Sequence, residues 1–337
     1  MIPWRKSSKG GGEINRVLVI QLGGLAEFIT ALAAAKRIRD FHVGAHITLL
    51  TTETTKELAK QCPYFDAVEA DGKPKEPQAI TKLIARVRAA KYDMVYDLEG
   101  SSRTANYFQG LRPWPPRWSG PIAGASHAYL EPLRAQLHPL DRYAGQLAVA
   151  GLAVEGAPLM ADLSWVRSAL RDPPRLKPDY FGIRGQYVLL LPRGGEGESA
   201  RAWPQAKYVD LAKRIVRRGV TPVVLGSPEE RGVGAAIAQA EPLAKNLVTR
   251  ADLFQSIALA ERAAFAAGDD VELMHVAAAA GAPCLVFLSS LSEPERRAPR
   301  GRGGVVALTA TVVADLPVEQ VDAQLRNCGV YAQAASA

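Results

Sequence analysis

Short apolar runs rich in β-branched residues, each followed by a glycine-bearing turn and a helical segment, recur along this chain and limit the folds open to it. The first is RVLVIQ (16–21), then LGGLAEF, then 29–39 with helical spacing and cations near its end. A run with no polar face suits a strand buried on both sides of a parallel sheet. Strand, glycine turn and helix together open a βαβ unit. The pattern predicts a strand at 46–52, a helix over 54–61, a short strand at 65–69 and a helix over 77–90. DMVYD (93–97) is the next strand, leading to LEGSSRTANYFQG, a strand at 117–120 and a helix over 141–152.

Composition changes at 162–186, which carries Pro173, Pro174 and Pro178 and no strand-length apolar run. The rhythm then restarts with YVLLLP (187–192), a glycine-rich loop and a helix over 204–218. TPVVLG (221–226), a helix over 229–240, a short strand at 246–248 and a helix over 253–263 follow. GDDVELMHVAAAAGAP (268–283) reads as a strand exit, two acids and an alanine-rich helix, and it precedes CLVFL and a last helix over 317–328. The expected organisation is an arm at 1–15, a domain at 16–165, a linker at 166–186 and a second domain at 187–337. Each domain is a doubly wound α/β unit with ligands at the carboxyl ends of its strands, so a cleft lies between the two.

A length of 337 residues accommodates two such cores. The net charge of +7 favours anionic partners such as phosphates, anionic glycans or a membrane surface. No block of like charge is long enough for a nucleic-acid tail, so nucleic acid is not an expected partner. Three scattered cysteines fit neither a disulfide framework nor a zinc site, and with no secretory leader the cytoplasm is the expected compartment. No apolar run reaches the ~18 residues of a membrane span, so any membrane contact is peripheral and through basic surface.

Several residues carry chemistry at the expected cleft, and each has a plainer alternative. Gly23 and Gly24 let the backbone turn tightly or approach a ligand, and Glu27 is either a general base or a carboxylate complementing a helix dipole. RGGEGESARAW (193–203) places Arg193, Gly194, Gly195 and Arg201 where they wrap a diphosphate, or it is a solvated loop. In GSPEER, Glu229 or Glu230 accepts from a ribose hydroxyl or is first-turn helix charge. A helix starting after Gly268 offers free N–H groups and a positive dipole end to a phosphate. Asp269 or Asp270 is expected to cap it, and with Asp269 as cap Glu272 takes the capping-box position. His275, in that helix, is a packing residue or a ligand contact. The acids of GDD lack a third ligand, so no metal is expected. Arg103 and Arg142 are candidates for an anionic acceptor or ordinary surface cations.

In this order the segments RVLVIQLGGLAEFITALAAAKRIR, YDMVYDLEGSSRTA, HPLDRY, ARAWPQAKYVDLAKRI, TPVVLGSPEER and GDDVELMHVAAAAGAP resemble glycosyltransferase family 9, the heptosyltransferases of lipopolysaccharide core assembly. The resemblance runs from about residue 16 to 288. It implies a GT-B fold, two Rossmann-like doubly wound domains facing across a cleft, and metal-independent, inverting transfer from a nucleotide diphosphate sugar such as ADP-heptose to an anionic glycolipid. It places the catalytic carboxylate on Glu27, the donor-phosphate cation on Arg201, and the nucleotide-side carboxylate on Glu229 or Glu230. The diphosphate-binding element falls on Asp270, Val271, Glu272 and His275. Val271 and Glu272 stand where the family has a threonine and a glycine, which leaves a second reading open: a non-catalytic member without donor binding, acting in binding or assembly.

Overall fold

The computed structural model describes residues 13–153, 156, 158–194 and 201–331, so most of the arm expected at 1–15 lies outside the described residues. The N-terminal half runs β1 (Arg16–Ile20), α1 (Leu25–Phe41), β2 (His46–Leu50), α2 (Glu53–Gln61), β3 (Ala67–Glu69) and α3 (Pro77–Ala89). It continues with β4 (Met94–Asp97), α4 (Ser102–Gly110), β5 (Arg117–Gly120), β6 (His127–Ala128) and α5 (Pro139–Val149). A short helix, α6 (Trp165–Ala169), and two 3-10 turns occupy the connection. The C-terminal half runs β7 (Tyr187–Leu191), α7 (Gln205–Val216), β8 (Thr221–Val224), α8 (Arg231–Ala240), β9 (Lys245–Asn246) and α9 (Leu253–Arg262). It ends with β10 (Phe265–Asp269), α10 (Glu272–Ala280), β11 (Cys284–Ser289), α11 (Pro294–Arg297), β12 (Val305–Ala310) and α12 (Val318–Asn327).

The strands form two parallel sheets, ordered β3-β2-β1-β4-β5-β6 and β12-β11-β10-β7-β8-β9. Each half therefore has the same doubly wound topology, with the chain reversing direction of travel between its first and fourth strands. The crevice at such a switch point is where ligands bind. Val17 to Ile20 and all of β7 are buried, as their unbroken apolar runs require.

The two halves share one core. Ala31, Ala33, Ala34 and Ala35 of α1 and Ala277 to Ala280 of α10 are buried in the same cluster, and α1 packs on α10 across the domain boundary. Small side chains let the two helices approach closely. Gly281, at φ 95°, closes α10 in the left-handed conformation that favours glycine.

Local details differ from the sequence reading for identifiable reasons. α1 begins at Leu25 rather than 29, because Gly24 is its N-cap and the turn is only a few residues long. α5 begins at Pro139 rather than 141, because His138 caps it: the ring Nδ1 accepts the Leu140 N–H at 3.1 Å, and Pro139 opens the helix. β6 has two residues, too few to give a pattern, and β12 follows a helix of only four residues, so the alternation is lost before it.

His138 also joins the halves. With Nδ1 accepting from Leu140, its Nε2–H donates to the Ala298 carbonyl at 3.1 Å. Asp141–Arg300 and Asp162–Arg302 ion pairs flank this tie at 2.9 and 2.5 Å. Burial, reinforced by the charge of Arg300, lowers the His138 pKa from 6.5 to about 4. Between those values the unfolded chain binds more protons than the folded one, so this contribution to stability is complete above pH 6.5 and is lost as pH falls through 4. His138→Asn retains a capping acceptor but cannot reach Ala298. It should be about 1–2 kcal/mol less stable than the parent at pH 7 by denaturant unfolding, with the gap closing toward pH 4.

Candidate active site

The second sheet's switch point is built around the carboxylate of Asp269, the last residue of β10. This side chain is fully buried and accepts three hydrogen bonds. Oδ2 receives the Arg193 N–H at 2.8 Å and the Tyr208 hydroxyl at 2.9 Å, and Oδ1 receives the Trp203 N–H at 2.9 Å. Arg193 and Trp203 delimit the glycine-rich loop, so one carboxylate pins both of its ends. Burial raises the Asp269 carboxyl from 3.8 to about 7, and the three donors oppose that rise. Gly268 must be glycine: a Cβ there would lie 2.2 Å from the Leu191 carbonyl oxygen.

This geometry overturns the expected cap. The N-cap of α10 is Val271, no side chain caps that helix, and Glu272 forms no capping box. Asp269 is unavailable because its oxygens are already committed inside the sheet. Asp270 lies in the turn, its Oδ1 3.5 Å from His275 Nε2, and its carbonyl receives a hydrogen bond from the Arg193 guanidinium. The first N–H groups of α10, which have no intrahelical acceptors, are thus left without a side-chain cap.

The loop has a second anchor in Glu230. Its Oε1 accepts the Gly194 N–H at 2.8 Å, and its Oε2 accepts the Ser227 N–H and hydroxyl at 2.6 and 2.8 Å. Of the two candidate carboxylates after β8, Glu230 is consumed in holding the loop and Glu229 is exposed. Gly194 passes so near that a Cβ would sit 2.1 Å from the Glu229 carbonyl oxygen. Gly195 lies outside the described residues. Arg201 is exposed, two residues before the buried Trp203.

On the facing domain, Gly23 and Gly24 form the turn between β1 and α1. The Gly23 N–H donates to the Gln21 side chain, and Glu99 at the end of β4 accepts the Leu22 N–H at 3.1 Å. Glu27 lies exposed in the first turn of α1. The position a Cβ would take on Gly24 is 3.2 Å from Glu27 Oε2 and 3.0 Å from Glu272 Oε1. Carboxylates from the two domains therefore meet over one glycine. Glu272 extends across the cleft instead of folding back over the N-terminus of its own helix.

Arg103 and Arg142 differ in availability. Arg103 donates to the Pro74 carbonyl at 2.8 Å. Arg142 has its Nε shut off from solvent with no acceptor, and neighbouring Tyr143 bonds the Gln21 side chain, which connects α5 to the glycine turn. Sequence reasoning took Asp269 or Asp270 for a cap and passed over Arg134, whose guanidinium lies beside Gly100 after β4. An aspartate ending a buried strand, six residues before a helix histidine, carries no local mark of a three-donor junction. Among the described residues no group of three or more His, Cys, Asp or Glu could hold a metal ion, and no helix is long and apolar enough to cross a membrane.

A cleft with an exposed carboxylate on one wall and an uncapped helix N-terminus on the other can hold a hydroxyl near a base and a phosphate near a dipole. Asp269→Ala should cost roughly 3–5 kcal/mol in chemical unfolding, because three buried donors lose their acceptor. An Asp269→Asn protein should be intermediate. A loss under 1 kcal/mol for the alanine variant would show that Asp269 does not hold the loop.

Comparison with known proteins bears on the family and the fold. The profile of glycosyltransferase family 9 (heptosyltransferase) matches residues 80–306. Lipopolysaccharide heptosyltransferase 2 of Escherichia coli (strain K12) is 26% identical over 229 residues, a match spanning 65% of this chain and 65% of the relative. The crystal structure of a family 9 glycosyl transferase from Veillonella parvula superposes with a TM-score of 0.75 at 17% identity, covering 94% of this chain and 98% of the other. The E. coli ADP-heptose lps heptosyltransferase II gives 0.73 at 19% identity, with 94% and 99% covered. At these identities the superpositions speak for the fold, two Rossmann-like domains in the GT-B arrangement.

Proposed function

We propose, on the premise that this chain belongs to glycosyltransferase family 9, that it moves a sugar from a nucleotide diphosphate donor to a hydroxyl of an anionic cell-envelope glycan. The observation that carries the reading is the pairing of Glu27, at the head of α1, with the uncapped N-terminus of α10 across the cleft. The printed names of the relatives, lipopolysaccharide heptosyltransferase 2 and ADP-heptose lps heptosyltransferase, suggest ADP-heptose as donor and a lipopolysaccharide-type acceptor.

In this mechanism Glu27 removes the proton of the acceptor hydroxyl as its oxygen attacks the anomeric carbon. The bond from that carbon to the diphosphate oxygen breaks on the opposite face, so configuration inverts. Negative charge grows on the departing diphosphate, where free N–H groups of α10 and Arg201 stabilise it without a metal. Arg193 contributes indirectly, since its guanidinium fixes the Asp270 carbonyl and so the entry to α10. Glu272 reaches toward Gly24 of the facing domain and does not cap α10, which supports an open helix end for the diphosphate. The net charge of +7 suits peripheral contact with an anionic membrane from its cytoplasmic side, where a lipid-anchored acceptor would be met.

Glu27→Gln should lower kcat by about 10²–10⁴-fold while ADP affinity, measured by calorimetry, stays near that of the parent. Full turnover by this variant would remove Glu27 as the base. Undetectable ADP binding by the parent at millimolar nucleotide, restored by Glu272→Gly, would instead favour the non-catalytic role.

A further inference from the structure

A cavity of about 490 Å³ opens between the two domains beside the head of α5, apart from the groups assigned to transfer. Leu137 and Asp141 line it from the first domain, and Glu293, Glu295, Arg296 and Arg300 line it from the second. Its size falls within the roughly 300–1,000 Å³ of small-molecule sites. Both walls stand at the carboxyl edges of the sheets, since α5 follows β6 and the 293–300 segment follows β11. β11 flanks β10 on the side away from β7 and β8. The cavity therefore lies across β10 from the glycine-rich loop and Glu230, the elements that face the nucleotide end of a donor.

The second-domain wall is held at both ends. After β11, Ser289 Oγ donates to the Thr311 carbonyl at 2.8 Å and accepts the Leu291 N–H at 3.2 Å. The Ser292 hydroxyl donates to the Ser289 carbonyl at 2.7 Å. Beyond α11, the Ala298 carbonyl takes the His138 Nε2–H and Arg300 pairs with Asp141. Gly301 then passes so near α10 that a Cβ would lie 2.2 Å from the Ala278 carbonyl oxygen. Between these anchors Glu293 adopts φ 53° and ψ 67°, a left-handed conformation that a β-carbon disfavours. Glycine would take that conformation without strain, yet the position carries a carboxylate that lines the cavity.

The lining is mixed in charge. Asp141 pairs with Arg300 at 2.9 Å and Glu293 with Arg296 at 2.6 Å, so two of its three carboxylates have their own counter-charges. Glu295 is exposed and makes no ion pair among the described residues. Paired charges with one spare carboxylate repel an acid and offer both acceptors and donors to hydroxyl groups. Leu137 adds apolar surface for the carbon face of a ring.

We infer that this cavity is a subsite for one sugar residue without an acidic group, whose hydroxyls or amine Glu293 and Glu295 recognise. That the sugar belongs to the acceptor glycan rests on the glycosyl-transfer reading. The subsite itself does not.

The test titrates the full chain, labelled for NMR and free of donor, separately with glucose, glucosamine and glucuronate. Glucose and glucosamine should shift the Leu137 methyl and 293–296 amide signals together, with Kd in the roughly millimolar range. Glucuronate should bind about tenfold more weakly or not at all. Glu293→Gly keeps the left-handed backbone and removes the carboxylate, so it should unfold at no lower temperature than the parent. This variant and Glu295→Gln should each weaken glucose binding roughly tenfold. In transfer assays, both should raise KM by about the same factor for an acceptor with a non-acidic sugar next to the reacting residue. KM for an acceptor lacking that sugar, and for the donor, should stay unchanged. The subsite is overturned if no sugar moves those signals, if glucuronate binds as tightly as glucose, or if the folded variants bind glucose as the parent does. An unchanged KM for every acceptor would overturn the assignment of the sugar to the acceptor. If glucose binding depends on Glu293 and Glu295 but no acceptor is glycosylated, the subsite stands and the transferase reading fails.

Discussion

The carboxylate of Asp269 is the constraint on which the second domain's ligand face depends. A buried acid is costly to desolvate, and here three donors from three separate segments offset the cost. Because two of those donors are the backbone N–H groups of Arg193 and Trp203, the loop between them closes on a fixed base. Tyr208 adds rigidity: its hydroxyl donates to Oδ2 and accepts the Asp269 N–H at 3.1 Å, so α7 is tied to the strand end in both directions. Glu230 repeats the device at smaller scale with Gly194 and Ser227. Acids in this half are therefore divided between those that build the loop and those that face solvent, and only the latter are available to a ligand.

The same logic applies between domains. α1 and α10 meet through alanines, and the tight approach brings the head of each helix to one place. Gly24 is the pivot, since a side chain there would fill the space that Glu27 and Glu272 occupy. The alanine seam sets the separation of the two helix heads, while His138 and the two flanking ion pairs add a second tie between the halves.

Alternating strand and helix patterns were enough to place ten of the twelve strands among the described residues, and the long helices, because buried parallel strands have a composition that few other elements share. What escaped was settled by geometry with no local signature. His138 caps α5 through its ring, and the helix starts two residues before the expected position. Asp269 looked like a helix cap because acids precede helices so often, yet its partners lie 61 to 76 residues away. Glu229 and Glu230 were indistinguishable in sequence and have opposite fates. Arg134 lay outside every motif, and only the fold brings its guanidinium beside Gly100.

Glu272 changes most between the two views. Along the sequence it sits where a phosphate would rest on a helix, and like charges at about 4 Å would cost about 4 kcal/mol at an effective dielectric near 20. In the fold its Oε1 stands 3.0 Å from the position a Cβ would take on Gly24, and no side chain caps α10. The glutamate therefore reaches toward the facing domain rather than back into a capping box on its own helix.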